Sequence, residues 1–196
     1  EYDIHSLVKA FYPGEDVKVC CGEEAGEGMV FRIDFEENGM RMRLGEEAEK
    51  EGAWMECAAD AGRGERKNVL KQLIYGTLSE HLNIELPWGT LTGIRPTKIS
   101  MGMIEEGWME EEILEAMKRT YFISDEKGQL SIEIAKRETE ILSSLHYKDG
   151  YSLYIGIPFC PTTCLYCSFT SYPIVSWKKR VGDYLDALEK EMAYVG

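Results

Sequence analysis

The sequence predicts an α+β module over residues 1–148, followed over residues 149–196 by a strand, a cysteine-containing loop and a helix. Three observations predict this organisation. Asn38-Gly39 separates two runs of alternating apolar residues, which is typical of a β-hairpin. Apolar residues between positions 65 and 145 recur at helical spacing. The net charge of −13 lies entirely before residue 151, because four basic and four acidic residues balance each other after it.

The β-hairpin is the first element that the sequence defines. Alternating apolar residues precede and follow its turn over residues 29–44: Val30, Phe31, Ile33 and Phe35, then Met40, Met42 and Leu44. A further strand is expected before it, over residues 2–10 or 16–21. Residues 45–64 are rich in Gly, Glu and Ala and favour no element.

Helices follow the hairpin. Five apolar residues share one face of a helix over residues 65–84: Leu70, Leu73, Ile74, Leu78 and Leu82. Pro96 can begin a second helix and Gly107 can end it. A third, over residues 109–119, has an acidic first turn at Glu110-Glu111-Glu112 and a basic last turn, which complement the helix dipole. Ser124 is a suitable N-cap for a fourth helix over residues 125–145.

The second module begins after the turn at Lys148-Asp149-Gly150. Residues 151–159, YSLYIGIPF, form a short apolar run that predicts a strand ending at Pro158. A cysteine loop occupies residues 160–167, and a helix is expected over residues 176–194. Its apolar face comprises Val181, Tyr184, Leu185, Leu188 and Met192.

Composition and charge exclude several classes of protein. An acidic chain with a pI near 4.8 is not a general nucleic-acid binder, because phosphate binding requires a basic surface. No stretch has the roughly 18 apolar residues of a membrane span. The N-terminus has charges where a signal peptide has its apolar core. A cytoplasmic location is therefore expected, and clustered cysteines in that reducing compartment indicate metal binding or catalysis.

The spacing of the late cysteines carries the chemistry. Cys160, Cys164 and Cys167 form a C-x3-C-x2-C pattern, in which three thiolates of one loop can meet one face of a [4Fe–4S] cluster. Such a cluster normally takes four cysteine ligands, so three leave one iron open to a small molecule. The alternatives are a zinc or generic thiol site, or three incidental small hydrophobic residues. A structural zinc site takes four protein ligands, and no histidine follows at a useful spacing.

The cysteine pattern and its flanks resemble a known family. C-x3-C-x2-C with an aromatic residue before the third cysteine is similar to the signature of radical S-adenosylmethionine enzymes. The segment from Tyr154 to Phe169 resembles their coproporphyrinogen oxidase branch, although Gly156 stands where that branch usually has histidine. With Gly156 and the upstream segment 89–98, GTLTGIRPTK, the sequence resembles the HemZ-type oxygen-independent coproporphyrinogen III dehydrogenases.

The resemblance implies a site and a fold. Cys160, Cys164 and Cys167 would hold the cluster, and Tyr154 and Tyr166 would contact S-adenosylmethionine. Phe169 stands where one branch of the family has a fourth cysteine, so details of that branch do not transfer. The implied fold is the first β-loop-α unit of a partial (β/α) barrel.

The resemblance also implies an activity. The reduced cluster would cleave S-adenosylmethionine to a 5′-deoxyadenosyl radical. That radical would convert two propionates of coproporphyrinogen III to vinyl groups, with loss of CO2, in haem biosynthesis. The implied partners are a tetrapyrrole substrate and a reductant, either a protein or a chemical electron donor. The alternatives are a radical enzyme with another substrate and a haem-trafficking protein of the neighbouring chaperone branch.

The length of the second module sets a further expectation. Residues 151–196 supply one strand–helix unit, whereas a complete barrel of this type runs to about 250 residues. The sequence is therefore expected to be an N-terminal fragment that lacks activity by itself.

Other residues of the first module have weaker signals. Arg95 and Lys98 are candidate ligands for substrate carboxylates, or else solvated or paired charges near a helix start. Cys20, Cys21 and Cys57 are expected to be buried small residues. His81 is expected to be a surface or half-buried residue of its helix.

Overall fold

The structure is a computed structural model that describes residues 1–22, 28–45, 52–93, 95–145 and 149–195. The chain divides into two compact units, Glu1–Leu145 and His146–Gly196, called here the first unit and the second unit. The predicted boundary at 148/149 lies beside residues 146–148, which are outside the described residues, and it stays a prediction.

The first unit begins with a helix, α1 (Tyr2–Phe11), so the strand predicted over residues 2–10 is wrong. Residues 16–21 form no strand either. Ile4, Leu7, Val8 and Phe11 recur at spacings of three, one and three residues, which is the pattern of one helix face. Leu7, Val8 and Phe11 are buried, because this face packs onto the rest of the unit.

A three-stranded antiparallel sheet follows, with strands β1 (Phe31–Glu36), β2 (Gly39–Leu44) and β3 (Ala53–Glu56) in that spatial order. The predicted hairpin is confirmed. Because Glu36 pairs with Gly39, the two-residue turn is Glu37-Asn38, one residue earlier than the Asn-Gly signal indicates. Gly39 instead allows β3 to approach, since a Cβ there would collide with the Trp54 ring.

The sheet packs with α1 and with α2 (Arg63–Leu82), which confirms the helix predicted over residues 65–84. This first hydrophobic core includes Met40 and Met42 of the sheet and Leu73, Ile74 and Leu78 of α2. Leu78 and Ile74 have no exposed surface.

One charged side chain of α2, Lys71, is buried, with 7% of its surface exposed. Burial lowers the pKa of Lys71 from its ordinary value, because a low-dielectric environment disfavours the charged form. The nearby carboxylate of Asp3, which also pairs with Lys67 at 3.0 Å, opposes this shift.

Three helices complete the first unit: α3 (Thr97–Glu105), α4 (Glu110–Tyr121) and α5 (Asp125–Ser143). Pro96 precedes α3, and Gly107 follows it with a φ of +87°. Ser124 caps α5 as predicted, since its side chain accepts a hydrogen bond from the Lys127 amide at 3.3 Å.

The three helices enclose a second hydrophobic core, formed by Ile113, Met117, Ile123 and Ile132 with partly buried neighbours. Within it the hydroxyl oxygens of Ser100 and Ser131 are hydrogen-bonded at 2.8 Å. This bond joins α3 to α5 and satisfies two polar groups that have no exposed surface.

The connector at residues 88–93 joins the two cores. The Thr90 amide donates to the Tyr121 carbonyl oxygen at 2.7 Å, and Gly89 adopts a φ of +53°. A Cβ on Gly89 would collide with that same carbonyl, so the connector requires glycine for both conformation and space. The Gln72 amide of α2 also donates to the Thr120 carbonyl oxygen at 2.8 Å.

The second unit has little regular sheet. It contains β4 (Phe159–Cys160), β5 (Tyr172–Pro173), α6 (Ile174–Trp177), a 3-10 turn (Lys178–Arg180) and α7 (Val181–Val195). The strand predicted over residues 151–158 is therefore wrong, since regular strand structure begins only at Phe159, and the barrel unit is not confirmed. Since β4 and β5 pair over two residues only, residues 151–158 have no neighbouring strand in the described part of the chain.

The helix predicted over residues 176–194 is confirmed in α7, although the helical segment begins earlier, at Ile174, and is interrupted by the 3-10 turn. Three apolar residues of its predicted face, Val181, Tyr184 and Leu188, are half-buried, whereas Leu185 and Met192 are exposed. In the described part of either unit, no helix has the length and apolar character needed to cross a membrane.

Candidate functional site

The backbone holds the cysteine loop, residues 160–167, at both of its ends. At the first end, Phe159 and Cys160 pair in parallel with Tyr172 and Pro173, and the Tyr172 amide donates to the Pro158 carbonyl oxygen at 2.7 Å. At the other end, the Cys167 amide donates to the Cys164 carbonyl oxygen at 3.0 Å. The strand pair thus positions Cys160, and the turn sets the spacing of Cys164 and Cys167.

The three thiols of the loop are free and reachable. None of them is in a disulfide; Cys164 is exposed, and Cys160 and Cys167 are half-buried. The Cys167 thiol lies 3.7 Å from the Phe169 carbonyl oxygen. Within the described ranges, no group of three or more His, Cys, Asp or Glu side chains is placed to hold a metal ion. The structure therefore gathers the cysteines on one loop without converging their side chains.

Both tyrosines predicted to contact S-adenosylmethionine lie at the surface. Tyr154 is 83% exposed and Tyr166, on the turn between Cys164 and Cys167, is 90% exposed. The Tyr154 ring lies against Gly156, where an added Cβ would stand 3.3 Å from its Cε1 atom. Neither ring is part of a hydrophobic core, and their contact with a cofactor stays a prediction.

Helix α7 supports the segment that leads into the loop. The Tyr184 hydroxyl donates a hydrogen bond to the Gly156 carbonyl oxygen, and the rings of Tyr184 and Phe159 meet edge to face with centroids 5.2 Å apart. The sequence placed Tyr184 on the apolar face of the helix but did not indicate this role. The available signal was the hydroxyl itself, because a buried tyrosine usually finds a polar partner.

Arg95 and Lys98 belong to the first unit, where both are exposed at the start of α3. The Lys98 amide donates to the Arg95 carbonyl oxygen at 3.1 Å, so Arg95 lies just before α3 and Lys98 in its first turn. Two hydroxyl oxygens of this segment, those of Thr92 and Thr97, are buried and have no hydrogen-bond partner among the described residues. The proposed role of the two cations as carboxylate ligands stays a prediction.

The remaining cysteines and the histidine are confined to the first unit. Cys57 is buried in the first core, as predicted, whereas Cys20 and Cys21 are exposed, so the prediction for that pair is wrong. The Cys21 thiol contacts the Glu1 carboxylate at 3.5 Å, and this contact raises the pKa of Cys21. His81 is exposed on α2, in agreement with the prediction of a surface position.

A comparison with proteins of known sequence identifies a relative of the chain. The chain is 41% identical over 131 residues, or 66% of its length, to the oxygen-independent coproporphyrinogen-III oxidase-like protein HemZ of Bacillus subtilis (strain 168). The matched segment spans 26% of that relative. No protein-family model and no solved structure matches the chain.

An identity of 41% over 131 residues reaches well beyond an eight-residue cysteine motif, so the similarity does not depend on the cysteines alone. The match covers about two thirds of the sequence. The chain therefore belongs to the HemZ-type family of oxygen-independent coproporphyrinogen-III oxidase-like proteins.

Proposed function

We propose that the protein binds a [4Fe–4S] cluster and S-adenosylmethionine and takes part in the oxygen-independent oxidation of coproporphyrinogen III to protoporphyrinogen IX. The observation that carries this proposal is the loop of three free cysteines at C-x3-C-x2-C spacing, in a chain similar to HemZ. The name of that relative describes it as coproporphyrinogen-III oxidase-like.

The donor set of the cysteine loop fits such a cluster chemically. Fe–S clusters are held by cysteine thiolates, and three ligands leave one iron free to bind a small molecule. The thiols of the loop are free and at most half-buried, so rotation about their side-chain bonds meets little steric resistance. Cys160 lies on the strand pair and Cys164–Cys167 on a turn, which leaves residues 161–163 to adjust when the iron binds.

Bound at these cysteines, the cluster would supply the electron that cleaves S-adenosylmethionine and generates the 5′-deoxyadenosyl radical. The chain's own residues hold and cover the cofactors. Tyr166 lies between Cys164 and Cys167, and Tyr154 precedes Cys160 by six residues. Both tyrosines are therefore close in sequence to the cysteines that would hold the iron. Tyr184 fixes the backbone at Gly156 and thereby the approach to the loop.

Propionate side chains of the tetrapyrrole are the groups that lose CO2. Because the first unit, Glu1–Leu145, carries the whole net charge of −13, it repels an anionic substrate at long range. We therefore assign the first unit a structural or partner-docking role, with Arg95 and Lys98 as its candidate contacts to a carboxylate. The second partner is a reductant, whether a protein or a chemical donor.

Iron and sulfide analysis after anaerobic reconstitution tests the proposal in the protein at its natural length. We expect about four iron and four sulfide per chain, and loss of both in Cys160→Ala, Cys164→Ala and Cys167→Ala. Cys20→Ala is the matched control, since it removes an exposed thiol of the first unit. One stable zinc per chain without iron would contradict the proposal.

Product analysis separates the activity from its alternatives. With coproporphyrinogen III, S-adenosylmethionine and a reductant, the protein should release CO2 and 5′-deoxyadenosine and form vinyl groups. Haem binding without vinyl formation would instead assign the protein to haem trafficking. Cleavage of S-adenosylmethionine without vinyl formation would assign it another substrate.

A further inference from the structure

Three consecutive cations follow the cysteine loop in the second unit. Lys178, Lys179 and Arg180, called here the basic run, form the 3-10 turn between α6 and α7, and all three are exposed. They stand out in a chain that contains 35 acidic and 22 basic residues. Only one other basic residue, Lys190, occurs after residue 150. The basic residues after position 150 are thus concentrated at one place.

Local stability does not account for the basic run. It precedes the N-terminus of α7, where the helix dipole favours negative charge and three cations are unfavourable. In the described part of the chain, neither Lys178 nor Lys179 forms an ion pair with an acidic side chain. Arg180 lies over the Trp177 ring, with its guanidinium carbon 5.6 Å from the ring centroid. Two of the three charges are therefore free for a partner.

The basic run lies beside the cysteine loop in space. Pro173 pairs with Cys160, and the run begins five residues after Pro173. The path from Pro173 to Lys178 runs through the four residues of α6, at about 1.5 Å each, and the first residue of the 3-10 turn, at about 2 Å. Pro173 and Lys178 are therefore separated by roughly 8 Å along this path. The lateral spacing of paired strands adds about 5 Å. The backbone of Lys178, the first of the three cations, thus lies within about 15 Å of the Cys160 backbone.

Aromatic packing gives this part of the unit a defined shape. The half-buried Trp177 ring contacts the ring of Tyr172 of β5, with centroids 5.0 Å apart. The Arg180 guanidinium lies over the same Trp177 ring. Ile174 and Val175 of α6 are exposed beside it, Val175 at 83%. An apolar centre with a charged rim is the composition of a transient protein interface.

We propose that the basic run and the exposed part of α6 form the docking surface for an acidic one-electron carrier protein. This inference rests on the proposed function, since iron held by the cysteine loop requires an electron from outside the chain. The carrier gives up one electron, which the cysteine-bound iron accepts, and no bond or proton is exchanged. Positive charge beside the accepting site raises the encounter rate of an acidic carrier and orients it toward the loop.

The test uses the protein at its natural length and a flavodoxin as the acidic carrier. The triple variant Lys178→Glu, Lys179→Glu, Arg180→Glu reverses the whole run. Lys179→Glu and Lys190→Glu form a matched pair, because each reverses one exposed lysine of the second unit. Each variant is compared with the wild type after its iron content has been shown to be equal.

Two rates are measured at low ionic strength: reduction of the iron by reduced flavodoxin and by photoreduced deazariboflavin, a small uncharged donor. We expect the triple variant to slow reduction by flavodoxin about tenfold or more, with no change for deazariboflavin. Lys179→Glu should slow reduction of the iron by flavodoxin more than Lys190→Glu does. High salt should shrink all these differences, because it screens exposed charges.

Binding of flavodoxin to the iron-free protein provides an independent readout. Binding that the triple variant weakens supports the docking surface even if no cluster forms, an outcome that would contradict the proposed function alone. Equal flavodoxin rates in wild type and triple variant would overturn the docking surface. So would equal slowing with both donors, or a wild-type dimer that the triple variant dissociates, since the occupant would then be a second copy.

Discussion

The first unit encloses two hydrophobic cores, whereas the second unit contains no buried side chain among its described residues. All sixteen buried hydrophobic residues of the described chain belong to the first unit. The second unit is not poorer in apolar residues; Leu153, Ile157, Leu165 and Met192 are among those that it leaves exposed. The difference therefore lies in the number of packed layers and not in composition.

This contrast shows what an apolar segment needs in order to fold. In the first unit, α1 and α2 cover the sheet, and α3, α4 and α5 cover one another, so each apolar face has a partner. In the second unit, a two-residue strand pair and one long helix have few such partners. The site-bearing unit is consequently the less protected of the two.

Hydrogen exchange should give the largest difference between the units. Amides in the centre of α2 are buried under a core and should exchange only through global unfolding, which slows exchange by about 10⁴-fold or more in a stable domain. Amides of residues 152–158 have no strand partner in the described chain and should exchange almost freely. Equal protection of the two segments in a monomer would contradict the comparison.

Truncation of one leucine side chain in each unit tests the difference in packing between the two units. Leu78→Ala should destabilise the first unit by about 2–5 kcal/mol, because Leu78 has no exposed surface and its loss leaves a cavity. Leu185→Ala is the matched change on α7, where the side chain is 42% exposed, and should cost about 0.5 kcal/mol or less. Urea unfolding followed by circular dichroism measures both. A similar cost at the two positions would show that α7 is packed as tightly as α2.

A pair of glycine substitutions tests the backbone of each unit. Gly89→Ala should cost about 1–3 kcal/mol for the left-handed φ of +53°, and more for the collision with the Tyr121 carbonyl. Gly182→Ala in α7 meets open space and should stabilise its helix by about 0.5–1 kcal/mol. Thermal unfolding of the two variants should therefore shift in opposite directions. A shift in the same direction would disprove the assigned role of Gly89.

The smallest effect concerns the buried cation of the first unit. Because burial lowers the pKa of Lys71 in the folded state, the unfolded state binds more protons between that value and the ordinary lysine pKa of about 10.4. Stability should therefore rise with pH through this interval, and Lys71→Met should remove the rise. Asp3→Asn should widen the interval, since the Asp3 carboxylate holds the pKa up. Urea unfolding at several alkaline pH values measures this rise in the free energy of unfolding. The same rise in Lys71→Met would show that Lys71 does not cause it.

Elements governed by neighbouring residues could be predicted from the sequence. Ser124 marks the start of α5, Pro96 and Gly107 bracket α3, and the acidic run at Glu110 begins α4, because caps and dipole effects act within one helical turn. The helix α1 was equally predictable. The spacing of Ile4, Leu7, Val8 and Phe11 has the period of one helix face, which excludes the strand expected over residues 2–10.

Elements governed by distant residues could not be predicted in the same way. Strand β3 contains four residues and exists because β2 offers it an edge. The apolar run 151–159 has the composition of a strand, but strand formation needs a partner that the described part of the second unit supplies only at Phe159 and Cys160. The need for glycine at position 39 comes from Trp54, fifteen residues further along the chain, because a Cβ on Gly39 would collide with its ring.

For the candidate site, the sequence determined the three cysteines, their spacing and their position after an apolar run, since these are properties of adjacent residues. Tertiary structure decided what surrounds them: the pairing of Cys160 with Pro173, the hydrogen bond from Tyr184 to Gly156, and the exposure of Tyr154. Burial and long-range hydrogen bonds depend on which segments meet, and the entropy of bringing them together is offset only by the packed structure as a whole. The identity of the three candidate cysteine ligands can therefore be taken from adjacent residues, whereas their arrangement in space cannot.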